Sequence, residues 1–521
     1  MTLLTEIHRV YSAEETRELD RIAIQERGIP GITLMNRAGR AAFKVLGEMC
    51  PAVRRVSLLC GKGNNAGDGY IIAGLASQRG LETRVFQLGE SASLTGDAAT
   101  ARDWALAQGV RPEGIKNSAE LQLKYLQVPG LDSDNQEQVI VDALLGTGLK
   151  GDVQGLYREA IDAINRRAME SGAQVLSVDV PSGLSGNTGV VHGGAVRADV
   201  CVSFIGAKRG LFTAEGPQYS GQVLVDDLDV PGDIFNQVAG IPLLQWGEVA
   251  SCLPERRKTT YKQACGHLLV CGGDHGMGGA VAMAAEAGLR VGTGMVTVLT
   301  RQCHVAAILA RRPELMAVGM EDPGDAGDFL ARANAVVVGP GLGRTDWSRA
   351  LLQQAIKAQK PLLADADALN LIAAGDAPGF QRKTAGERVI TPHPGEAARL
   401  LNLTSKEVEQ DRFEAVQELC RRVAGVSVLK GAGTLVARAS PAPAEMTLCR
   451  HGNPAMATAG MGDVLSGIIG GFMAQGLSTW DATRVGVALH SYASDRWVMN
   501  QGGRGFIATD MLEEMRKVLN E

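Results

Sequence analysis

The sequence predicts an α/β protein of two successive domains, the first built on a parallel, doubly wound sheet and the second on a different α/β series. Three observations predict it. Short runs rich in Val, Leu and Ile alternate with segments of helical spacing, the order that folds as βαβ units. Glycine occurs 65 times in 521 residues, about 12% against a usual ~7%, and these glycines gather in short loops after the apolar runs. The rhythm breaks once, over 228–250, which divides the chain into domains at 1–235 and 245–521.

The elements follow in order. Ser12 and Glu15, three apart, make a capping box and predict a helix over 12–27. A second helix is expected over 31–50. The run 53–60 (VRRVSLLC) reads as a strand, 61–69 (GKGNNAGDG) as a glycine loop, and the apolar stretch after it as a helix. Residues 83–88 read as a strand and 96–109 as a helix. The strand 139–145 (VIVDALL) runs into GTGLKGD. The helix 156–171 stops at Gly172, a residue suited to a helix end. Strands at 174–180 and 198–204 complete the first series. The second series has strands at 267–273 and 294–300, a helix at 280–291, and a strand with a glycine loop over 333–344. Its remaining elements are expected at 361–369, 388–401, 426–437 and 458–476.

Composition narrows the function. Hydrophobic residues make up 45% and charged residues 21%, so the chain is globular and not disordered. The net charge is −5 with no basic block, and aromatics are only 4%; a nucleic-acid partner is not expected. Nine scattered cysteines without a C-x-x-C pair point to a reducing, cytoplasmic setting and not to a disulfide framework or zinc site. No signal pattern opens the chain and no long apolar run suggests a membrane span.

In the first half, G61-K-G63-N-N-A66 fits the dinucleotide fingerprint between a strand and a helix. The acid expected about 20 residues on is out of place: Glu82 precedes the second strand and Glu90 follows it late. A plain dehydrogenase site is therefore not expected, though the loop can hold a phosphate or serve only as a tight turn. Asn64, Asn65 and Asp68 add side-chain oxygens there. Asp142 and Asp179 end neighbouring strands, with Ser182 just beyond. Each could be a simple cap; together Asn65, Asp142 and Ser182 offer neutral oxygens and one carboxylate, which suits a large monovalent cation better than zinc.

NNAGDG, VDALLGTGL-x-GD and VDVPSGL resemble the N-terminal half of the bifunctional NAD(P)H-hydrate repair family, a Rossmann-like epimerase domain. The resemblance implies that Asn64, Asn65, Ala66, Gly67 and Asp68, with Gly146, Thr147, Gly148, Leu149, Lys150, Gly151 and Asp152, contact the damaged dinucleotide. It implies K+ at Asn65, Asp142 and Ser182, and Asp179 as substrate contact and acid/base.

In the second half, GMGD (460–463) opens an apolar helix, so backbone N–H groups there can cradle a phosphate. Asp463 either acts as a base on an attacking hydroxyl or is an ordinary first-turn acid. No Walker A sequence occurs. GGDHGMGGA, GPGLGR, DADAL, TPHPGE, LKGAGT and NPAMATAGMGD, in that order, resemble a ribokinase-like domain, the ADP- or ATP-dependent dehydratase of the same repair family. The resemblance implies that Ala280, Gly341, His393 and Asp463 contact the hydrate, that Asp463 is catalytic, and that Lys430, Gly431, Ala432, Gly433, Thr434 and Gly462 hold the nucleotide. His393 between its prolines could instead be a loop histidine.

The expectation is epimerisation of R- and S-NAD(P)HX, then dehydration of the S form at the expense of ADP or ATP with Mg2+. NADHX and NADPHX are the expected substrates and a homo-oligomer the expected assembly. The alternatives are a small-molecule kinase with a nucleotide-binding N-terminal domain, and a non-catalytic nucleotide sensor.

Overall fold

The computed structural model describes residues 7–126, 138–149, 151–380, 387–439 and 445–521. They form two compact units that meet in the chain between Pro242 and Leu243.

The N-terminal unit is built on a seven-stranded parallel sheet. Its strands are β1 (Arg55–Cys60), β2 (Glu82–Leu88), β3 (Pro112–Ile115), β4 (Gln138–Ala143), β5 (Gln174–Val178), β6 (Val200–Phe204) and β7 (Gln222–Asp226). The spatial order is 3-2-1-4-5-6-7, so the direction of winding reverses between β1 and β4. Ligands bind at the carboxyl ends of strands beside such a reversal. Successive side chains of a strand face opposite sides. Val56, Leu58 and Cys60 therefore join a core on one face, while Leu59 joins Phe86, Ile140 and Ile161 on the other. Both faces are covered, which is why these strands read as unbroken apolar runs.

Five helices supply that cover: α1 (Ala13–Arg21), α2 (Gly31–Met49), α3 (Asn64–Gln78), α4 (Gly96–Ala107) and α5 (Gly155–Ser171). The Ser12–Glu15 capping box forms on α1, and Gly172 ends α5 at φ 69°. α1 stops at Arg21 and gives way to a π-type turn over Ile22–Glu26, shorter than the expected helix. The glycine loop is shorter too. It ends at Gly63, so Asn64–Asp68 are the first turns of α3. The turn must be tight, because a β-carbon on Gly61 would sit 1.9 Å from the Leu144 carbonyl oxygen. A small sheet of Arg9–Tyr11, Ala207–Lys208 and Ile241–Pro242 ties the start and end of the unit to residue 208.

The C-terminal unit has a nine-stranded sheet: β8 (His267–Cys271), β9 (Met295–Thr300), β10 (Met316–Gly319), β11 (Ala335–Val338), β12 (Leu362–Ala364), β13 (Arg388–Ile390), β14 (Val426–Leu429), β15 (Thr434–Arg438) and β16 (Glu445–Cys449). The order is 10-9-8-11-12-13-14-15-16. The sheet is parallel except at one edge, where β14, β15 and β16 pair antiparallel. The stretch 426–437 is not one element. Gly431 (φ 134°) and Gly433 (φ 65°) turn it into a hairpin. Likewise 361–369 is a three-residue strand and then a helix from Ala366.

Helices α6 (Gly278–Arg290), α7 (Pro394–Leu401), α8 (Met461–Ala474) and α9 (Thr479–Gln501) position the second site. Alanine and glycine let α8 lie close on α6: a β-carbon on Gly467 would sit 2.0 Å from the Ala284 carbonyl oxygen. Val464, Ile468 and Phe472 bury the inner face of α8 against Leu268, Val270 and Val337. Each such side chain contributes about 1.5–3 kcal/mol. That packing fixes the start of α8 over the carboxyl end of the sheet. Among the described residues no helix is long and apolar enough to cross a membrane.

Candidate active sites

A cleft of about 750 Å3 opens at the carboxyl ends of β1, β4 and β5, within the usual size of a small-ligand site. Asn64, Asn65, Asp68, Gly146, Thr147, Gly148, Leu149 and Asp179 all line it. Ala66 and Gly67 are buried behind that wall. Gly151 and Asp152 are not among its lining residues; Asp152 lies 3.7 Å from His192. Lys150 lies outside the described residues.

Asn65, Asp142 and Ser182 converge on the backbone after β4. The Asp142 carboxylate is fully buried. It accepts from the Ser182 hydroxyl at 2.5 Å and backbone N–H at 2.8 Å, and from the Ser177 hydroxyl at 2.9 Å. Asn65 Nδ2 donates to the Leu145 carbonyl at 3.2 Å, and Ser182 Oγ lies 3.2 Å from the same oxygen. Burial raises the Asp142 carboxyl above its ordinary range, and these hydrogen bonds only partly offset it. Among the described residues it forms no ion pair. A buried anion without a cation is costly, so one positive charge beside these neutral oxygens fits. No group of three or more His, Cys, Asp or Glu residues among those described is arranged to hold a metal, and a divalent ion fits less well.

Asp179 stands just past β5 in the left-handed region, at φ 66°. Strain of that kind gathers at functional sites. Its carboxylate accepts from Lys208 Nζ, which also donates to the Phe204 carbonyl at 3.0 Å. Two further acids feel the charge of this ammonium. Burial, reinforced by Asp179 and Asp20, raises Asp68 well above the usual carboxylate range against the pull of Lys208. The cleft walls push Asp20 up to about 6, with Lys208 opposing and Asp179 adding to the shift. Lys208 and Asp20 were not evident from sequence: neither belongs to a glycine motif, and Lys208 arrives through the small sheet.

The second site gathers at the carboxyl ends of β11 to β14. Lys430 Nζ donates to Asp365 Oδ1 at 3.0 Å and lies 3.9 Å from Glu396. Burial opposes its charge, but Asp365 and Glu396 outweigh that and raise its pKa. Asp365 is buried and also accepts from Ser466 Oγ at 2.7 Å. Asp463, in the first turn of α8, faces this group. Burial and then Asp365 push its carboxyl up to about 7, with Lys430 opposing. That value suits a proton acceptor working near neutrality.

His393 caps α7, its Nδ1 accepting from Gly395 N–H at 3.0 Å. Its Nε2 lies 3.5 Å from Glu396, which joins it to the Lys430 cluster. Gly341 and Ala280 meet directly, the β-carbon position on Gly341 falling 3.2 Å from Ala280 Cβ. Asp274 anchors their loops through Arg301 at 2.8 Å and Thr345 at 2.9 Å. Asp367 accepts from Gly343 N–H at 2.9 Å and is felt by Asp463. Arg412, buried, donates to the Leu429 and Lys430 carbonyls and so holds the 430–434 turn, whose Gly431 and Ala432 are exposed. Gly462 lies against Lys430 Nζ. Asp365 and Glu396 stand inside DADAL and TPHPGE, yet those motifs did not mark them. His490 had no signal at all. It is buried on α9, hydrogen-bonds the Met461 backbone, and is pushed down to about 4 by burial.

Two α/β units, each carrying acids clustered around a lysine at the carboxyl ends of its strands, define a two-site enzyme of nucleotide chemistry. Residues 31–210 match the family described as YjeF-related protein N-terminus, and residues 268–517 match NAD(P)H-hydrate dehydratase. The chain is 44% identical over 516 residues to the bifunctional NAD(P)H-hydrate repair enzyme of Coxiella burnetii, covering 98% of this chain and 99% of that one. It is 39% identical over 514 residues to that of Escherichia coli, covering 98% and 94%. A solved ADP/ATP-dependent NAD(P)H-hydrate dehydratase from Bacillus subtilis is 25% identical, with 54% of this chain and 99% of that chain covered and a TM-score of 0.47. The chain belongs to the bifunctional NAD(P)H-hydrate repair enzymes.

Proposed function

We propose that the two activities divide between the two units. The N-terminal unit interconverts R- and S-NAD(P)HX; the C-terminal unit dehydrates S-NAD(P)HX to NAD(P)H at the expense of ADP or ATP. The likeness to repair enzymes over nearly the whole chain carries this reading. A small-molecule kinase would leave the YjeF-related half without a role.

For epimerisation, the added hydroxyl leaves as water and water returns on the other face of the ring. One group must donate a proton to the departing oxygen and accept one from the entering water. Asp179, held by Lys208, takes that role, and Asp68 supplies a second carboxyl whose pKa burial raises. Asn64–Asp68 and Gly146–Asp152, with Lys150, contact the dinucleotide. Asn65, Asp142 and Ser182 would hold K+, which would supply a fixed positive charge for the substrate's phosphates.

For dehydration, Asp463 takes the proton of the ring hydroxyl while its oxygen attacks the terminal phosphorus. The shortened nucleotide departs with the electron pair of the broken P–O bond. The ring then expels phosphate and loses a neighbouring proton, which restores the double bond. Phosphate leaves far more readily than hydroxide, so a kinase-like fold serves a lyase. Lys430–Thr434 and Gly462 hold the nucleotide; Ala280, Gly341 and His393 contact the hydrate. The acids around Lys430 outnumber it, which suits a Mg2+ ion carried in with the nucleotide, and the ion would neutralise nucleotide phosphates. Nine free thiols are in keeping with a cytoplasmic location, and a homo-oligomer completes the proposal.

The test incubates the protein with mixed R- and S-NADHX and ADP or ATP, following NADH absorbance. Complete recovery of both epimers is expected. No recovery with either nucleotide would contradict the proposal.

A further inference from the structure

A second cavity, of about 320 Å3, opens beside the main cleft of the N-terminal unit. Lys62 and Tyr157 line both, so the two share a wall. The smaller one sits at the carboxyl ends of β2 and β3, with Leu88 and Ile115 as an apolar floor and Glu90 and Lys116 at its mouth. Asp179 follows β5, three strands from β2. At ~4.8 Å per strand that is about 14 Å, too far for one ring and suited to a ligand that crosses the Gly146–Leu149 loop on the way.

The chemistry of the walls is specific. The Tyr157 hydroxyl hydrogen-bonds the Lys62 backbone. The Lys62 side chain lies over Gly89, its Cε 3.1 Å and Nζ 3.8 Å from where a β-carbon would stand. Gly89 has φ 87°, so the end of β2 is kept bare and the ammonium low over it. Lys116 Nζ pairs with Glu90 at 3.0 Å, both side chains more than half exposed, at 61% and 69%. Such an exposed pair is worth under about 1 kcal/mol, so an incoming phosphate or hydroxyl can take either partner. Glu90 is the first acid after β2. It comes later than the ribose-binding acid of a plain dinucleotide fold, but the cavity reaches it.

We propose that this cavity receives the adenosine ribose of the substrate: Glu90 accepts a hydrogen bond from a 2′-hydroxyl, while Lys62 and Lys116 bind a 2′-phosphate. The subsite admits both NADHX and NADPHX and sets the preference between them. It rests on the epimerase reading, and its test separates the two.

Epimerisation kcat/KM is measured on the full chain with NADHX and with NADPHX. Lys116→Glu lowers the NADPHX-to-NADHX ratio by about tenfold or more, the usual cost of losing a charged hydrogen bond. Glu90→Gln moves the ratio the other way. Misfolding cannot move it in opposite directions. Ratios unchanged in both variants overturn the proposal. A binding arm needs no turnover: calorimetry with adenosine 2′,5′-bisphosphate, 5′-AMP and inorganic phosphate. Tighter binding of the bisphosphate than of AMP, lost in Lys116→Glu, supports the subsite. Equal binding of the two nucleotides overturns it, as does binding of inorganic phosphate as tight as that of the bisphosphate. A parent inactive on both hydrates defeats the epimerase reading, and the binding arm still decides the subsite.

Discussion

Both sites place a lysine among acids, but they connect it differently. In the N-terminal unit Lys208 grips Asp179 itself, the acid proposed to move protons. In the C-terminal unit Lys430 grips Asp365, a neighbour, and Asp463 is left facing both. The consequence is electrostatic. Asp463 feels burial and the Asp365 charge more than it feels Lys430, so its carboxyl rises to about 7. A lysine paired with the acid proposed to react fixes its position; a lysine paired with the next acid leaves the proposed base with a raised pKa.

Breaking the poised acid should give the largest effect. Asp463→Asn is expected to lower dehydration by about 10²–10⁴, the usual cost of a lost general base, while epimerisation assayed separately stays at the parent rate. Dehydration near the parent rate would show that the residue only caps α8.

Removing its neighbour sharpens the comparison. The Asp365 charge holds the Asp463 pKa up, so Asp365→Asn should lower it. In the parent, dehydratase kcat/KM should fall as pH drops through about 7, because the base must be ionised. In the variant that limb should move to lower pH, with a slower plateau. A limb that stays in place would break the electrostatic account.

In the first unit, Asp142→Asn should weaken substrate binding and abolish any difference between potassium, sodium and choline chloride at equal ionic strength. It should also cost about 1–3 kcal/mol of stability, since a donor amide meets donors already aimed at Asp142. Equal parent rates in all three salts would remove the cation. The smallest effect is expected of Lys208→Met. Asp179 keeps its carboxyl but loses its anchor, so epimerase kcat should fall about tenfold, the equivalent of about 1.4 kcal/mol of barrier, with dehydration intact.

The alternation of strands, glycine loops and helices made both sheets legible, because strands covered on both faces need continuous apolar runs. The glycine motifs also marked one side of the cleft wall, Asn64 to Asp68 and Gly146 to Leu149, but not the side that α1 and α2 supply. What escaped notice depends on tertiary pairing. Lys208 reaches Asp179 only because a two-residue strand pairs with Arg9–Tyr11. Asp365 and Ser466 are 101 residues apart, and no local pattern joins them. The antiparallel edge was missed because KGAGT resembles a loop between elements as much as a hairpin turn. The glycine loop was overextended because Asn64–Asp68, poor helix formers by composition, are held in a helix by packing against α2 and α4.

One chain is proposed to carry two sites that act in sequence on R-NADHX. This is tested most directly by complementation. Asp179→Ala should dehydrate S-NADHX but fail on R-NADHX; Asp463→Asn should only interconvert the two. Mixed in equal amounts with ADP or ATP, the two variants should restore NADH from R-NADHX at a rate neither reaches alone. A mixture no faster on R-NADHX than either variant by itself would contradict the account.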